Sequence, residues 1–522
     1  MERWDVIVVG AGSAGAPISA RLAASGRRVL LLEAGPDYRS AELPEVWRSA
    51  NPFRALLDPA APRELAWLDL LATRTDVQEP ALYWRGKGVG GSSTINGQIA
   101  IRPPVEDFDD WASAGCTGWS WDEVLPFFNK SESDSQFGDR SYHGDKGPIP
   151  VHRTSAKSWG AVDSALHAAA IEAGHPWSED VNAPGAMGVS PYPINSWEGS
   201  RVTVNDVYVE PSRMSENFAI RGGALVDRVL FENGKAVGVR YLADGTTPVD
   251  VGADMVVLSA GAIHSPAILQ RSGVGPQRLL RAHDIPIIAD LPVGYGLQDH
   301  PMTAVLIPLK EESTVRTQDD RHTNVCVRYS SGHPGGSPLD MMLVAFNQNV
   351  FPIENKDYRF GVGGFGAWLN KPWSRGAVMA SSADPAIQPE IREAMLSDPR
   401  DLDRLRAGVR HLVDLACSSA VAEVADGSIS RINPTLFSVL DDDRRLDAFL
   451  LATAADAQHA TSTCRLGNTS EAETVVDPDC KVLGLDGLRV VDASIFPSIP
   501  RANTHLATVM LGEMMAHRIL TQ

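Results

Sequence analysis

Hydrophobic and polar positions follow two different periods along the chain, and the changes of period mark its elements. Residues 5–35, DVIVVGAGSAGAPISARLAASGRRVLLLEAG, open with an unbroken β-branched run that suits a strand buried on both faces. A small-residue turn, GAGSAG, follows, and Ala14, Ile18 and Leu22 then recur at helical spacing. Gly26 ends that helix, and RRVLLLEAG supplies a second buried strand. Pro17 fits only the first helical turn, where its missing N–H would have found no partner.

Further along, residues 155–200 are broken by Pro, Gly and Trp and read as irregular. NFAIRGGALVDRVLFENGKAVGVRYLADG predicts alternating strands with turns at ENGK and ADG. DMVVLSAGAIHSPAILQRSGVG repeats the order buried strand, small-residue turn, helix. Residues 306–454 change texture: VAFNQNV and AVMASS suit strands, and SDPRDLDRLRAGVRHLVDLA is an amphipathic helix. GLRVVDAS, near the carboxyl end, returns to the strand-and-turn texture of the first residues. The prediction is therefore an α/β protein (α+β overall) in two domains. One is Rossmann-like and built from residues 1–155, 205–305 and 455–522. The other, residues 156–204 and 306–454, is inserted and built on an antiparallel sheet with helices.

Composition narrows the partners. The chain has 522 residues and a formal net charge of −18, with no long acidic block. That sign disfavours nucleic acid and anionic membrane, both of which need basic patches. No apolar run approaches the ~20 residues of a bilayer span, so no stable membrane insertion is expected. The five cysteines, Cys116, Cys326, Cys417, Cys464 and Cys480, show no metal-ligand spacing. They read as reduced thiols, with no metal predicted. The opening MERWDVIVVGAG has no room for a secretory leader, and the expectation is a cytoplasmic protein.

The chemistry begins at the first turn. Gly10, Gly12 and Gly15 form GxGxxG between strand and helix, and Glu33 ends the next strand. The first glycine permits the turn, the second lets backbone approach a pyrophosphate, and the third lets helix and strand pack. The helix N-terminus then faces the phosphates, and Glu33 is placed to accept hydrogen bonds from ribose hydroxyls. The motif indicates a dinucleotide without separating FAD from NAD.

Three further segments separate them: RGKGVGGSSTINGQIAIR (85–102), GAIHSPAILQRSGVG (261–275) and GLRVVDASIFPSIPRANTHLATVM (487–510). With these the chain resembles the glucose-methanol-choline (GMC) oxidoreductases, which are FAD-dependent. GYGLQDHP (294–301) looks like a loop of the same family. HGDKGPIPV, LNKPWSRG, LSDPRDLDRLRAG and DASIFPSIPRANT are similar to the branch of bacterial 5-hydroxymethylfurfural oxidases, which act on furan and benzylic-type primary alcohols. Pyridoxine 4-oxidases are a neighbouring possibility.

The resemblance implies a set of FAD contacts. Ala11, Gly12, Ser13 and Gly15, with Gly10, would hold the pyrophosphate, and Glu33 and Ala34 the adenosine side. Val89, Gly91, Asn96, Gly97 and Ile99 would lie along the isoalloxazine and ribityl chain. Val226 would touch adenine, and Asp492 and Ala493 would close over the pyrophosphate. Ile95 stands where some relatives carry a flavin-bonded histidine, so the FAD is expected to be non-covalent.

Alcohol oxidation needs a base for the hydroxyl proton, and a histidine titrates in the right range. The family's catalytic histidine falls in HATSTCRLG, at His459, and its partner at Asn503. Thr504 and His505 would supply the flavin edge. An N-cap role for Asn503 is the rival reading. His300 and His143 read as loop hydrogen-bonders and Cys464 as packing. Trp368, Trp373 and Phe365 suit either an aromatic pocket or a core. Ser462 replaces the usual glycine, His505 the usual asparagine and Ala507 the usual proline. Gln458 precedes the base where the furan-oxidase branch tends to carry an aromatic residue, which makes the pocket wall more polar. The expected partners are a small alcohol and an acceptor, either oxygen or a quinone or carrier. A dehydrogenase, or a hydroxynitrile lyase with an idle FAD, is the alternative.

Overall fold

The computed structural model describes residues 2–522. The run DVIVV lies in the strand Arg3–Val9, which is parallel to Val29–Leu32 on one side and Thr247–Leu258 on the other. Phe218–Arg221 and Leu488–Val490 extend the parallel set outward from these neighbours. Val9 pairs with both Leu32 and Leu258, so three carboxyl-terminal strand ends lie level, the place where open parallel sheets collect ligands. Thr247–Leu258 is 12 residues long, and its first half pairs antiparallel with Lys235–Ala243, which pairs in turn with Ala224–Glu232.

Both faces of this sheet are covered, which is why Val6 to Val9 and Val29–Leu32 are buried without alternation. The helix Gly15–Ala24 packs against the C-terminal helix Thr504–Thr521. The two approach so closely that a Cβ on Gly512 would lie 2.7 Å from the Ala14 carbonyl.

A second, fully antiparallel sheet runs in the order Ala455–Asp456, Pro301–Leu309, Gly361–Leu369, Met341–Phe346, Val325–Tyr329, Gly188–Pro191. Here the period of two is plain. Val305, Ile307, Leu343, Ala345, Phe365 and Ala367 face a core shared with the helices Ala161–Glu172 and Pro399–Ala416. Met302, Met342, Val344, Phe346 and Trp368 face the other way, toward Ile99 and Tyr192. Pro399–Ala416 starts where the sequence places it, with the Asp398 carboxylate accepting from the Arg400 N–H.

Ala161–Glu172 lies in the stretch expected to be irregular. Its stripe of Val162, Ala165, Leu166, Ala169 and Ala170 is buried against the second sheet, and the flanking Pro, Gly and Trp conceal three turns of helix. A smaller sheet, Tyr295–Leu297, Gly376–Met379, Glu390–Arg392, Leu71–Thr73 and Ala81–Leu82, lies beside the two. The fold is thus mixed α/β, with several sheets of mixed orientation. Among the described residues no helix is long and apolar enough to cross a membrane.

Candidate active site

A cavity of about 490 Å³ runs from the Gly10 turn to the face of the second sheet. At one end it is lined by Gly10, Gly12, Ser13, Glu33, Ala34 and Val226, and at the other by His459, Asn503, Met302 and Trp368. Gly91, Asn96, Gly97, Ile99, Asp492, Ala493, Thr504 and His505 lie on the wall as well. Ala11, Gly15 and Val89 do not, contrary to the expectation. The Ala11 N–H is already donated to Glu33, Gly15 packs against Gly10, and Val89 points into the core with its N–H on the Pro36 carbonyl.

The three motif glycines separate into two kinds. A Cβ on Gly10 would sit 2.4 Å from the Ser259 carbonyl oxygen, and one on Gly15 would sit 1.8 Å from the Gly10 oxygen. The protein's own packing demands both. A Cβ on Gly12 would meet nothing nearer than the Gly91 Cα at 3.8 Å, and Gly12 lacks a positive φ. Neither backbone nor packing asks for glycine there, so the space it keeps clear belongs to the cavity. That cradle fits a pyrophosphate.

Glu33 is less free than its place after the second strand suggests. One carboxylate oxygen accepts from Ala11 N–H and the other from Gly35 and Gly88 N–H, each at 2.9 Å. Burial nevertheless holds its pKa above the usual carboxylate value. About one acceptor position of roughly four remains for a ribose hydroxyl. Asp492 is similarly engaged, accepting from Gly261 N–H, Ser265 hydroxyl and Ser494 N–H.

At the other end the hydrogen bonds fix a proton pattern. His300 Nε2 lies 3.1 Å from the Pro500 carbonyl, which can only accept, so that nitrogen carries the hydrogen. Burial lowers His300 to about 4, so it is neutral and its Nδ1 is bare. His459 Nδ1 lies 3.0 Å from that atom and must donate to it. The lone pair of His459 therefore sits on Nε2, where the Asn503 Nδ2–H donates at 3.0 Å. Burial, then His300 and Arg85, hold His459 well below the ordinary imidazole pKa. The result is a neutral imidazole with its basic nitrogen on the cavity side, anchored by its own backbone N–H on Asp299 at 2.7 Å.

His505 does not approach this pair. Its Nδ1 is 2.9 Å from the Ser13 hydroxyl, beside the glycine turn, and burial, then Arg201, lower it to about 4. Of the three aromatics, only Trp368 lines the cavity, edge-on to His459 at 5.6 Å. Phe365 is in the second core, and Trp373 is 46% exposed beneath the Arg400 guanidinium. His143 lies elsewhere, bridging Glu132 and Asp180. Cys464 is buried, and burial pushes its thiol up. Ile95 lines the cavity.

Sequence reasoning missed the groups behind His459. Asp299, Glu393 and Asp456 bring carboxylate oxygens within 4.8 Å of one another, with Arg74 on Asp456 and Arg85 3.8 Å from Asp299. Burial and then Asp456 raise Asp299 to about 7. Glu393 accepts no hydrogen bond from the protein. Asp299 lies within the QDHP loop, a signal that could have found it, but no local pattern announces Glu393.

Comparison with known proteins identifies the family. Two models described as GMC oxidoreductase match residues 4–302 and 372–512. The chain is 34% identical to 5-(hydroxymethyl)furfural oxidase of Methylovorus sp. (strain MP688), covering 99% of each. It is 32% identical to mitochondrial choline dehydrogenase of Mus musculus, covering 99% of this chain and 89% of that one. Among solved structures, pyridoxine 4-oxidase from Mesorbium loti superposes with a TM-score of 0.89 at 26% identity, covering 99% of each chain. The chain belongs to the GMC oxidoreductase family and is an oxidoreductase.

Proposed function

We propose that this protein binds FAD non-covalently and oxidises a small primary alcohol, furanic, benzylic or heteroaromatic, to the aldehyde, with onward oxidation to the acid within the same chemistry. His459 is the base and Asn503 the group that orients the substrate oxygen. The observation that carries the reading is the unprotonated Nε2 of a neutral His459, held by His300 and accepting from Asn503 at the apolar end of the cavity.

FAD, when bound, supplies the hydride acceptor. The chain's residues do the rest. The substrate hydroxyl replaces the Asn503 Nδ2–H as donor to His459 Nε2, which takes its proton, and the freed Asn503 amide donates to the oxygen as negative charge develops on it. Met302, Val344, Phe346, Tyr192, Ile99 and Trp368 form a water-poor wall that suits a flat ring. The acids on the cavity wall are Glu33, Asp456 and Asp492, and all three are engaged within the protein. No free carboxylate is left for a quaternary ammonium, which disfavours choline despite that relative. Residues 1–155, 205–305 and 455–522 form the FAD domain in this reading, and 156–204 with 306–454 the substrate domain.

Oxygen is the proposed acceptor, from the name of the furfural oxidase relative. The test is anaerobic flavin bleaching with furan methanols, benzylic alcohols, pyridoxine and choline, followed by peroxide measurement under air. Bleaching by ring-bearing alcohols with peroxide release is expected. A quinone-linked dehydrogenase would bleach without peroxide, and a cyanohydrin lyase would not bleach at all. His459→Ala should slow bleaching by about 10²-fold or more while keeping FAD. An unchanged rate removes His459 as base.

A further inference from the structure

We infer that Arg201 and Arg321 form a cation pair, the first buried and the second half-buried, that stabilises negative charge on the flavin ring, a role that rests on FAD being the cofactor. Arg201 is 5% exposed and spends its guanidinium on neutral acceptors: the carbonyls of Trp47 (3.0 Å), Ser93 (3.1 Å) and Asn96 (2.7 Å), and Asn96 Oδ1 (2.9 Å). Arg321 donates to the carbonyls of Ala50 (2.6 Å) and Gly97 (3.1 Å). Among the described residues, neither has a carboxylate oxygen within 4.0 Å. Arg102, Arg153, Arg404 and Arg501, all buried, sit instead against Glu132, Asp134, Asp340 and Asp107.

Holding two like charges together without a hydrogen-bonded counter-ion is costly, and Asp206 and Asp163 act on them only through space. Burial and then Arg321 lower Arg201 to about 9, and burial lowers Arg321 to about 10. Both remain charged at neutral pH. A negative charge from outside the protein would offset that cost.

The place of the pair says which charge. The segment 91–99 runs along the cavity. At its start Gly91 backs onto Gly12, in the phosphate turn, and at its end Ile99 joins the cluster containing Trp368, beside His459. Arg201 and Arg321 clamp the middle, Ser93 to Gly97, and Asn96 and Gly97 form the wall there. Neither guanidinium is on the cavity wall, so their positive charge acts through one layer of backbone on the stretch between pyrophosphate and base, where the redox ring belongs. A hydride brings one proton and two electrons, so a neutral ring that accepts one gains a negative charge. In a low-dielectric wall, fixed cations hold that charge strongly.

The test uses holoenzyme and reads the ring rather than turnover. Sulfite adds its sulfur lone pair to the oxidised ring and leaves negative charge there, needing no electron acceptor. In Arg321→Gln the sulfite Kd should rise about tenfold, and the reduction midpoint should fall by the equivalent, about 30 mV for a two-electron couple. Arg201→Lys, which keeps the charge but loses the fork, should hold both within about twofold. Three results overturn the inference. One is Arg321→Gln with sulfite affinity and midpoint unchanged. Another is Arg201→Lys shifted as much as Arg321→Gln, which would make the role structural. The third is FAD lost or weakened while the midpoint of the remaining holoenzyme holds, which would assign the charges to the pyrophosphate.

Discussion

His300 never touches the cavity, yet the hydrogen-bond chain makes it the residue that decides which nitrogen of His459 is basic. Replacing it by Phe fills the same buried space and removes the acceptor for the His459 Nδ1–H. A buried donor left unpaired costs about 1–3 kcal/mol, and the imidazole escapes that cost by turning or by moving its hydrogen to Nε2. Either route removes the lone pair from the substrate side in most molecules. At RT of about 0.6 kcal/mol this corresponds to a loss of about 5- to 150-fold in the reductive rate, with FAD retained. His300→Asn is the control, because its amide oxygen can stand where Nδ1 stood and accept the same hydrogen. It should recover most of the rate.

The assay is stopped-flow bleaching of the flavin by a benzylic or furan methanol without oxygen, over a pH series. Wild-type His459 is held well below the ordinary imidazole pKa by burial, so its rate should be flat above about pH 6.5 and fall only in acid. His300→Phe within twofold of wild type, or Phe and Asn equally impaired, would refute the tautomer assignment.

Gly12→Val should fold normally as apoprotein yet lose FAD affinity by about 10²-fold, whereas Gly15→Ala, with its Cβ 1.8 Å from a carbonyl oxygen, should not fold; thermal melts and FAD titration separate the two. Glu393 is 2% exposed and unpartnered, and burial and then Asp456 raise its pKa. The unfolded chain gives up this proton first, so the share of stability that depends on Glu393 should decline as pH rises above about 4.3. Glu393→Gln should lessen that decline, Asp299 still contributing to it, and gain about 1–3 kcal/mol at alkaline pH; equal melting curves across pH would count against it. His143 bridges Glu132 and Asp180, which hold its pKa up against burial. Its stabilising share is full below about pH 6.5 and is lost as pH rises through the raised folded value. His143→Gln should cost about 3–5 kcal/mol in mild acid, with the gap closing at alkaline pH.

The elements were legible where one period ran long enough. DVIVV, the glycine turn, the helix 399–416 and the strand-turn-helix from Asp254 follow from spacing alone, although that strand begins earlier, at Thr247. Ala161–Glu172 was hidden because its apolar stripe is mostly alanine, and Gly174, Pro176 and Trp177 follow it at once. The site was legible at the level of residue type. His459 and Asn503, 44 positions apart, do meet, and most of the expected cofactor residues line one cavity. What the sequence could not show is which polar atoms the protein consumes for itself. A carboxylate after the second strand suits a ribose or three backbone amides equally well, and Glu33 takes the amides. An arginine in a loop carries no sign that its neighbours will all be carbonyls, because a missing counter-ion is a property of the assembled wall.

Asn503 shows how such accounting bears on function. It occupies the N-cap position of Thr504–Thr521, where its side chain would ordinarily accept from the first-turn amides. It makes no such bond, and its Nδ2 goes to His459 instead. The 18-residue helix thus begins without a side-chain cap, and its positive end lies on the cavity wall at Thr504 and His505. One choice of partner steadies the base and leaves the helix terminus free for an acceptor from outside the protein. Asn503→Asp separates the two effects. Its carboxylate can cap the helix but cannot donate to His459 Nε2, so the apoprotein should melt no lower than wild type while the bleaching rate falls by about 10²-fold. A variant that bleaches at the wild-type rate would show that the Asn503 donor is dispensable.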